Sequence, residues 1–83
     1  MIGQQIKLQR VKRGLSIGET CAAINALGTK DERGKPLALT APALSRIESG
    51  DRLPGLRTML ALADVLGCRF VISKGGIEIV SLD

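Results

Sequence analysis

The spacing of apolar residues predicts that most of the chain forms four short helices. Apolar side chains recur every three or four residues in segments 2–13, 17–27, 41–49 and 56–66, which is the period of a helix that buries one face. A glycine, which readily ends a helix in the left-handed conformation, follows each segment: Gly14, Gly28, Gly50 and Gly67. The side chains expected on the buried faces are Ile2, Ile6, Cys21, Ile24, Leu44, Ile47, Leu56, Met59, Leu60, Ala63 and Leu66, with Ile17 and either Ala23 or Leu27.

Polar residues ahead of two of these helices predict where the helices begin. Ser16, with Glu19 three residues later, has the spacing of a capping box, in which each side chain bonds the backbone N–H of the other residue. Thr40 is expected to cap the third helix, and Pro42 falls in its first turn, where a missing N–H costs little. The fourth helix is apolar on more than one face, so we expect a further partner to cover it.

The pattern changes in residues 68–83, which we expect to form a β-structured tail. Segments 69–73 and 77–80 are rich in strand-forming side chains, and the glycine pair 75–76 suits a tight turn. A two-stranded hairpin is only marginally stable on its own, so we predict a sheet shared with a second copy across a two-fold axis. The alternative is a hairpin folded back on its own helices. The residues expected at the shared interface are Phe70, Val71 and Ile72.

Composition narrows the possible functions. The 83 residues suffice for one domain, expected over residues 1–67, followed by the tail. Because the sequence has a single aromatic residue, the core of this domain must be aliphatic. The sequence has no histidine, and Cys21 and Cys68 are too far apart in sequence for a paired metal-ligand motif. We therefore expect no metal site, no cofactor and no enzyme activity. No segment has the length and apolar character of a membrane span, from which we expect a cytoplasmic protein.

The charge is distributed unevenly along the chain. Ten of the twelve basic side chains and five of the eight acidic ones lie in residues 1–57, so a basic helical part precedes a nearly neutral tail. A basic module of this kind suits a polyanion such as nucleic acid, although surface charge also serves solubility.

Three stretches of the sequence resemble the Xre/Cro-C1 family of helix-turn-helix domains, the fold of the lambdoid phage repressors. They are IGQQIKLQRVKRGLS in helices 1 and 2, LSRIESG at the end of helix 3, and LPGLRTMLALADVLG in helix 4, within residues 2–67. The resemblance implies a mostly α, lambda-repressor-like bundle of four to five helices with a C-terminal strand or hairpin that forms a shared dimer sheet. It also implies that the third helix lies in the major groove of double-stranded DNA.

The resemblance further implies roles for individual residues. Arg10 and Glu48 match the family's partly buried ion pair between helices 1 and 3, and Cys21 matches a small buried position of helix 2. Base-facing positions correspond to Ala41, Pro42, Ser45 and Arg46. Phosphate-contacting positions correspond to Ser16, Ile17, Thr40, Ser49 and Arg52.

The sequence departs from the family pattern in three places. Ile17 stands where the family often has glutamine, and Ala41 and Pro42 replace polar residues that commonly read bases. The connection between helices 2 and 3, residues 28–39, is about a dozen residues longer than the usual tight turn. We hypothesise that it supplies missing DNA contacts; the alternative is a tolerated surface insertion, since two acidic residues dilute its charge. The basic side chains concerned are Lys30, Arg33 and Lys35.

Two classes of function follow from these observations. The first is a dimeric transcriptional repressor that binds a palindromic operator. Its tail resembles that of HipB-like antitoxins, which bind a toxin protein and repress their own operon. The alternative within this class is a phage-type or stand-alone Xre regulator, which would have the same fold. The second is a protein-interaction module of this fold that has lost DNA binding, because Ala41 and Pro42 offer little hydrogen bonding.

Overall fold

A computed structural model describes residues 2–82 and contains four helices followed by one β-hairpin within that range. Four helices is the lower end of the predicted range of four to five. Both strands extend slightly beyond the predicted segments 69–73 and 77–80. The elements are α1 (Ile2–Lys12), α2 (Ile17–Ala26), α3 (Ala41–Ser49), α4 (Leu56–Leu66), β1 (Cys68–Ser73) and β2 (Gly76–Ser81).

The predicted helix caps are confirmed. Ser16 and Glu19 form a complete capping box at the start of α2, with each side chain accepting a hydrogen bond from the backbone N–H of the other residue. Thr40 caps α3 through its hydroxyl group. Gly50 and Gly67 end α3 and α4 with φ angles of 89° and 63°, in the left-handed region that other residues rarely adopt. Local sequence therefore determines where these helices begin and end.

The core is aliphatic and lies where the four helices meet. Every helix contributes a fully buried side chain, from the set Ile6, Ile24, Leu44, Leu62 and Leu66. Cys21 and Cys68 are also buried as free thiols, and burial raises the pKa of each. Of the two alternatives for α2, Ala23 is half-buried and Leu27 is exposed, because the helix ends at Ala26.

The buried face of α4 differs from the predicted one. Met59, Leu62 and Leu66 are buried, whereas Leu56 and Leu60 are 60% and 57% exposed. The prediction for Leu56 and Leu60 is wrong because α4 is apolar on both faces. Helical periodicity fits either stripe in that case, and packing against the other helices selects between them.

Polar side chains of α1 and of Arg13, the residue after its end, hold the junction between α4 and the hairpin. Gln9 Nε2 donates to the carbonyl oxygen of Leu66 at 2.9 Å. Arg13 donates to the same carbonyl from Nε, at 2.8 Å, and to the carbonyl of Gly67 from Nη2, at 2.9 Å. These bonds satisfy carbonyl groups that have no partner within the ending helix. The start of the tail is thereby fixed to α1.

The hairpin strands pair with each other in antiparallel register, with Phe70 opposite Ile79. Both of these side chains pack against the core, while Val71 is half-buried and Ile72 is 65% exposed. The hairpin is thus folded against its own helices, the arrangement weighed above as the alternative to a shared sheet. Its sharing with a second copy stays a prediction.

α1 lies against β2 and bonds its outer edge at one residue, whereas the outer edge of β1 carries unpaired backbone groups. The N–H of Ile79 donates to Gln5 Oε1 at 2.9 Å, so it points away from β1. In an antiparallel pair, two residues that lie opposite each other point their backbone groups either both inward or both outward. Phe70 lies opposite Ile79, so the N–H and C=O of Phe70 point away from β2. Nothing between residues 2 and 82 bonds these two groups. The outer edge of β1 is accordingly open to a further strand.

Gly3 permits the close approach of α1 to α3. A Cβ atom at this position would meet the backbone carbonyl groups of Ile47 and Glu48. We expect Gly3→Ala to lower the free energy of unfolding by about 1–3 kcal/mol, because the two helices must move apart. Urea unfolding of the purified variant measures this loss.

Gly18→Ala is the matched control for this test. Gly18 holds the same second position in α2 that Gly3 holds in α1, but the nearest atom to its added Cβ is 4.0 Å away. We expect the control to be neutral or to stabilise the fold by up to about 1 kcal/mol, since alanine favours a helix over glycine. Equal losses in the two variants would contradict the close approach.

Candidate nucleic-acid interface

The outer face of α3 exposes all four residues that the family resemblance implies as base-facing. The helix begins after the exposed cap Thr40, and its opposite face is buried in the core. Small side chains in the first turn leave room for a neighbouring surface to approach the helix backbone. Hydroxyl and guanidinium groups follow one turn later, where they can donate hydrogen bonds. The exposed residues are Ala41, Pro42, Ser45 and Arg46.

The turn after α3 places two further polar residues beside this face. The carbonyl oxygen of Arg46 accepts the Ser49 hydroxyl at 3.0 Å and the N–H of Arg52 at 3.3 Å, which closes the turn tightly. Ser49 and Arg52 are both exposed. Within residues 2–82, neither the Arg46 nor the Arg52 guanidinium has an ion-pair partner. Two cationic groups therefore face solvent at this end of α3.

A buried ion pair sets the position of α3 relative to α1. Arg10 Nε lies 2.7 Å from Glu48 Oε2, and Nη2 lies 3.0 Å from Oε1, so the pair is bidentate. Arg10 Nη1 also donates to the carbonyl oxygen of Leu15 at 2.8 Å, in the turn before α2. The bond to Glu48 raises the pKa of Arg10 despite the opposing effect of burial. One guanidinium thus joins α1, the first turn and α3.

The start of α2 offers donors from its backbone and one hydroxyl group. The Ser16 oxygen accepts the Glu19 N–H at 3.0 Å, which leaves its own hydrogen for an outside acceptor. Backbone and side-chain bonds from Ser16 hold the pKa of Glu19 below its usual range, so this acid is ionised at neutral pH. The Ile17 side chain is half-buried against the core. Ile17 can therefore offer only its backbone N–H to a phosphate.

An open cleft runs between α1, the start of α2 and α3. Ser45 and Ser49 lie one turn apart on α3 and line one wall, and the exposed Lys7 of α1 lies on the other side. Lys7 is not among the residues predicted from the sequence. The signal for it is its position three residues before the ion-pair Arg10, which places the two side chains next to each other on the same face of α1. The cleft is lined by Lys7, Arg10, Ile17, Ser45, Glu48 and Ser49.

The long connection between α2 and α3 is an ordered structure, which we call the basic loop (residues 29–37). Its two arms pair through the N–H of Leu37 and the carbonyl of Thr29 at 2.7 Å, and Lys30 and Pro36 form a β-bridge. Asp31 closes the tip, since its Oδ1 accepts the N–H groups of two following residues at 2.8 and 2.9 Å. The exposed cations of the basic loop are Lys30, Arg33 and Lys35.

The base of the basic loop is fixed to α2 by one asparagine. Asn25 Oδ1 accepts the N–H of Leu39 at 2.8 Å, and its Nδ2 donates to the Leu39 carbonyl at 3.2 Å. Leu39 is itself buried in the core. Asn25 therefore holds in place the segment that joins the basic loop to α3.

A comparison with protein-family models decides the family. The model for the helix-turn-helix domain matches residues 2–69. The chain belongs to this family. It is a helix-turn-helix domain of the Xre/Cro-like type, which is a DNA-binding fold that typically carries no catalytic activity. Neither the curated proteins nor the solved structures contain a significant match.

Other kinds of site find no support in the described part of the chain. No group of three or more potential ligands among histidine, cysteine, aspartate and glutamate lies close enough to hold a metal ion within residues 2–82. Over the same range, every helix is too short or too polar to span a bilayer.

In this helix-turn-helix domain, α2 and α3 are separated by residues 27–40, so the usual tight turn is replaced by the basic loop and its base. The structure brings together Arg10 and Glu48, and it places the exposed face of α3 next to the start of α2 through the cleft. The predicted tail residues lie on a different element, β1. The polar α3 face and the hairpin edge are thus separate surfaces of one domain.

Breaking the buried ion pair should be costly. We expect Arg10→Met to lower the free energy of unfolding by about 3–5 kcal/mol, because the Glu48 carboxylate would stay buried without its partner. The double variant Arg10→Met/Glu48→Leu removes both charges and should recover most of that loss. Urea unfolding of the single and double variants measures the difference. A double variant less stable than the single one would contradict this account.

Proposed function

We propose that this chain is a sequence-specific transcriptional repressor whose α3 lies in the major groove of double-stranded DNA. The observation that carries the proposal is the outer face of α3, where small residues precede Ser45 and Arg46 and the whole face is open to solvent. Arg46 forms no ion pair within residues 2–82, and a guanidinium that is free in this way can donate to both major-groove acceptors of guanine, so Arg46 is the principal base reader. Ser45 adds a hydroxyl that can serve either as donor or as acceptor.

Phosphate contacts in this proposal surround the reading helix. Lys7 faces the cleft on one side, and the N–H groups at the start of α2 present the positive end of the helix to the same region. Arg52 follows α3, and the basic loop precedes it. The proposed phosphate contacts are Lys7, Ser16, the backbone of Ile17, Thr40, Ser49, Arg52, Lys30, Arg33 and Lys35.

The repressor in this proposal is a homodimer joined through the outer edges of its β1 strands. Support comes from the backbone groups of Phe70, which point away from β2, and from the exposed Ile72 beside them. Two β1 edges related by a two-fold axis would pair their backbone groups and cover apolar side chains at the same time. A two-fold dimer presents two reading helices, which suits a palindromic operator.

An antitoxin role is a narrower form of the same proposal. It is supported by the resemblance of the tail to HipB-like antitoxins, and it requires a toxin protein as second partner. Co-expression with the product of an adjacent gene tests it: an antitoxin would co-purify with that product and bind its own promoter. A stand-alone regulator would bind the promoter without a protein partner.

Substitutions at Arg46 and Lys7 separate base reading from phosphate binding. On an operator selected from host genomic DNA, we expect Arg46→Ala to weaken binding by about 1–3 kcal/mol per subunit and to relax preference at one base position in each half-site. Lys7→Ala should weaken binding to all sequences alike and reduce the slope of affinity against salt by about one per subunit, which is about two for the proposed dimer. Fluorescence anisotropy over a salt series measures both effects.

Three outcomes of this experiment would change the assignment. A uniform loss in Arg46→Ala would make Arg46 a phosphate contact. An unchanged salt slope in Lys7→Ala would remove Lys7 from the interface. A wild-type chain that binds no genomic DNA at low salt would overturn the proposed function and favour a protein-interaction module of the same fold.

Ile72 and Leu82 provide a matched pair for the dimer. The two side chains are 65% and 64% exposed, but only Ile72 lies on β1. We expect Ile72→Lys to shift the protein to monomers, because charged side chains oppose pairing of strand edges, and Leu82→Lys to remain dimeric. Sedimentation velocity over a range of concentrations distinguishes these states. A monomeric wild type, or an Ile72→Lys variant that stays dimeric, would count against the β1 interface.

A further inference from the structure

The tip of the basic loop is attached to the start of α4 by a single carboxylate. Glu32 Oε1 accepts the backbone N–H of Arg57 at 3.0 Å, across 25 residues of sequence. The same oxygen would lie 2.9 Å from a Cβ atom added to Gly55, so the carboxylate sits directly over the first turn of α4. The loop therefore touches the body of the domain far from its own base.

Glu32 supplies the cap that α4 lacks locally. The residue before α4 is Gly55, which has no side chain to bond the free N–H groups of the first turn. A carboxylate at this end of a helix is also favoured by the helix dipole. The hydrogen bond from Arg57 holds the pKa of Glu32 below its usual range, which agrees with an ionised group in this position.

Two attachments define the orientation of the basic loop. Asn25 fixes its base through both backbone groups of Leu39, and Glu32 fixes its tip on α4. The bonds within the loop make it one unit, and a unit held only at its base could swing about that base. With the second attachment, the direction in which its cations point is set before any partner binds.

We propose that Glu32 is a positioning residue for DNA binding, which holds the basic loop so that its cations lie along the DNA backbone. This inference rests on the proposed function. Its physical basis is preorganisation: contacts from a loop that is already ordered do not have to offset the entropy of ordering it on binding. Glu32 itself touches no DNA in this account. The cations that it orients are Lys30, Arg33 and Lys35.

The proposal and simple electrostatics predict opposite changes in DNA affinity when Glu32 is removed. An acidic residue near a DNA-binding surface repels phosphate, so its removal should strengthen binding if charge alone matters. Removal of Glu32 should weaken binding if its attachment to Arg57 matters more. The direction of the change therefore separates the two accounts.

The test uses charge-changing and charge-neutral variants of the full chain. We expect Glu32→Ala to bind the operator about three- to tenfold more weakly than wild type, the effect of leaving a few side chains to be ordered on binding. Gly55→Ala keeps every charge but places a methyl group against the carboxylate, and it should weaken binding in the same direction. Glu32→Gln keeps an acceptor oxygen for the Arg57 N–H and should bind at least as tightly as wild type.

Asp51→Ala is the matched control. Asp51 is an exposed acid in the turn after α3, and its carboxylate bonds no other residue within 2–82. Its removal changes the net charge as Glu32→Ala does, without releasing the loop. We expect this control to bind as tightly as wild type or more tightly, because only repulsion is lost.

Salt dependence and hydrogen exchange complete the experiment. Glu32→Ala should reduce the slope of affinity against salt by up to about three per subunit, one for each cation of the loop, and so by up to about six for the proposed dimer, whereas a loss of folded protein would leave the slope unchanged. Without DNA, faster exchange of the Arg57 amide in Glu32→Ala should report release of the tip. Binding by Glu32→Ala as tight as by Asp51→Ala would overturn the positioning role alone, while failure of the wild type to bind DNA would overturn the proposed function with it.

Discussion

The bidentate pair between Arg10 and Glu48 is the interaction on which the arrangement of the helices depends. Both side chains are nearly buried, and the third guanidinium nitrogen bonds the carbonyl of Leu15, so a single residue of α1 fixes α3 and the approach to α2. Replacement of such a pair by apolar groups is often neutral for stability, but its geometry tolerates few alternatives. Its contribution here is to orient α3. With Leu44 and Ile47 in the core, the opposite face of the helix must face solvent.

The same helix α1 also organises the tail. Gln9 of α1 and Arg13, the residue after its end, bond the carbonyl groups at the end of α4, and Gln5 bonds the edge of β2. Gln5 thereby occupies the N–H of Ile79 on β2, whereas the backbone groups of Phe70 on β1 have no such partner within residues 2–82. The surface proposed for DNA and the edge proposed for the dimer are consequently held by one rigid element. A change in the tilt of α1 would move both together.

Features encoded within a few residues could be predicted from the sequence, and features that depend on distant contacts could not. The capping box of Ser16 and Glu19 and the ends of α3 and α4 follow from local chemistry, and each was found. The buried face of α4 was predicted incorrectly, because two apolar stripes satisfy the same period. The attachment of Glu32 to α4 gives no local signal, since its partner is a backbone N–H that lies 25 residues away. Lys7 has a local signal in its spacing from Arg10, but only the folded cleft shows that it lies opposite α3.

The composition of the proposed interface links sequence recognition to dimerisation. Ala41 and Pro42 provide no hydrogen-bonding side chain, so reading of bases falls to Ser45 and Arg46, while the remaining contacts are to phosphate. Phosphate contacts position the protein and add affinity, but they carry no sequence information and weaken as salt rises. Two reading residues per subunit specify a short half-site. A second subunit doubles the number of bases that are read, and the spacing of its helix adds a geometric requirement. In the proposed complex, the β1 edge therefore contributes to specificity as directly as α3 does, although it lies on a separate surface.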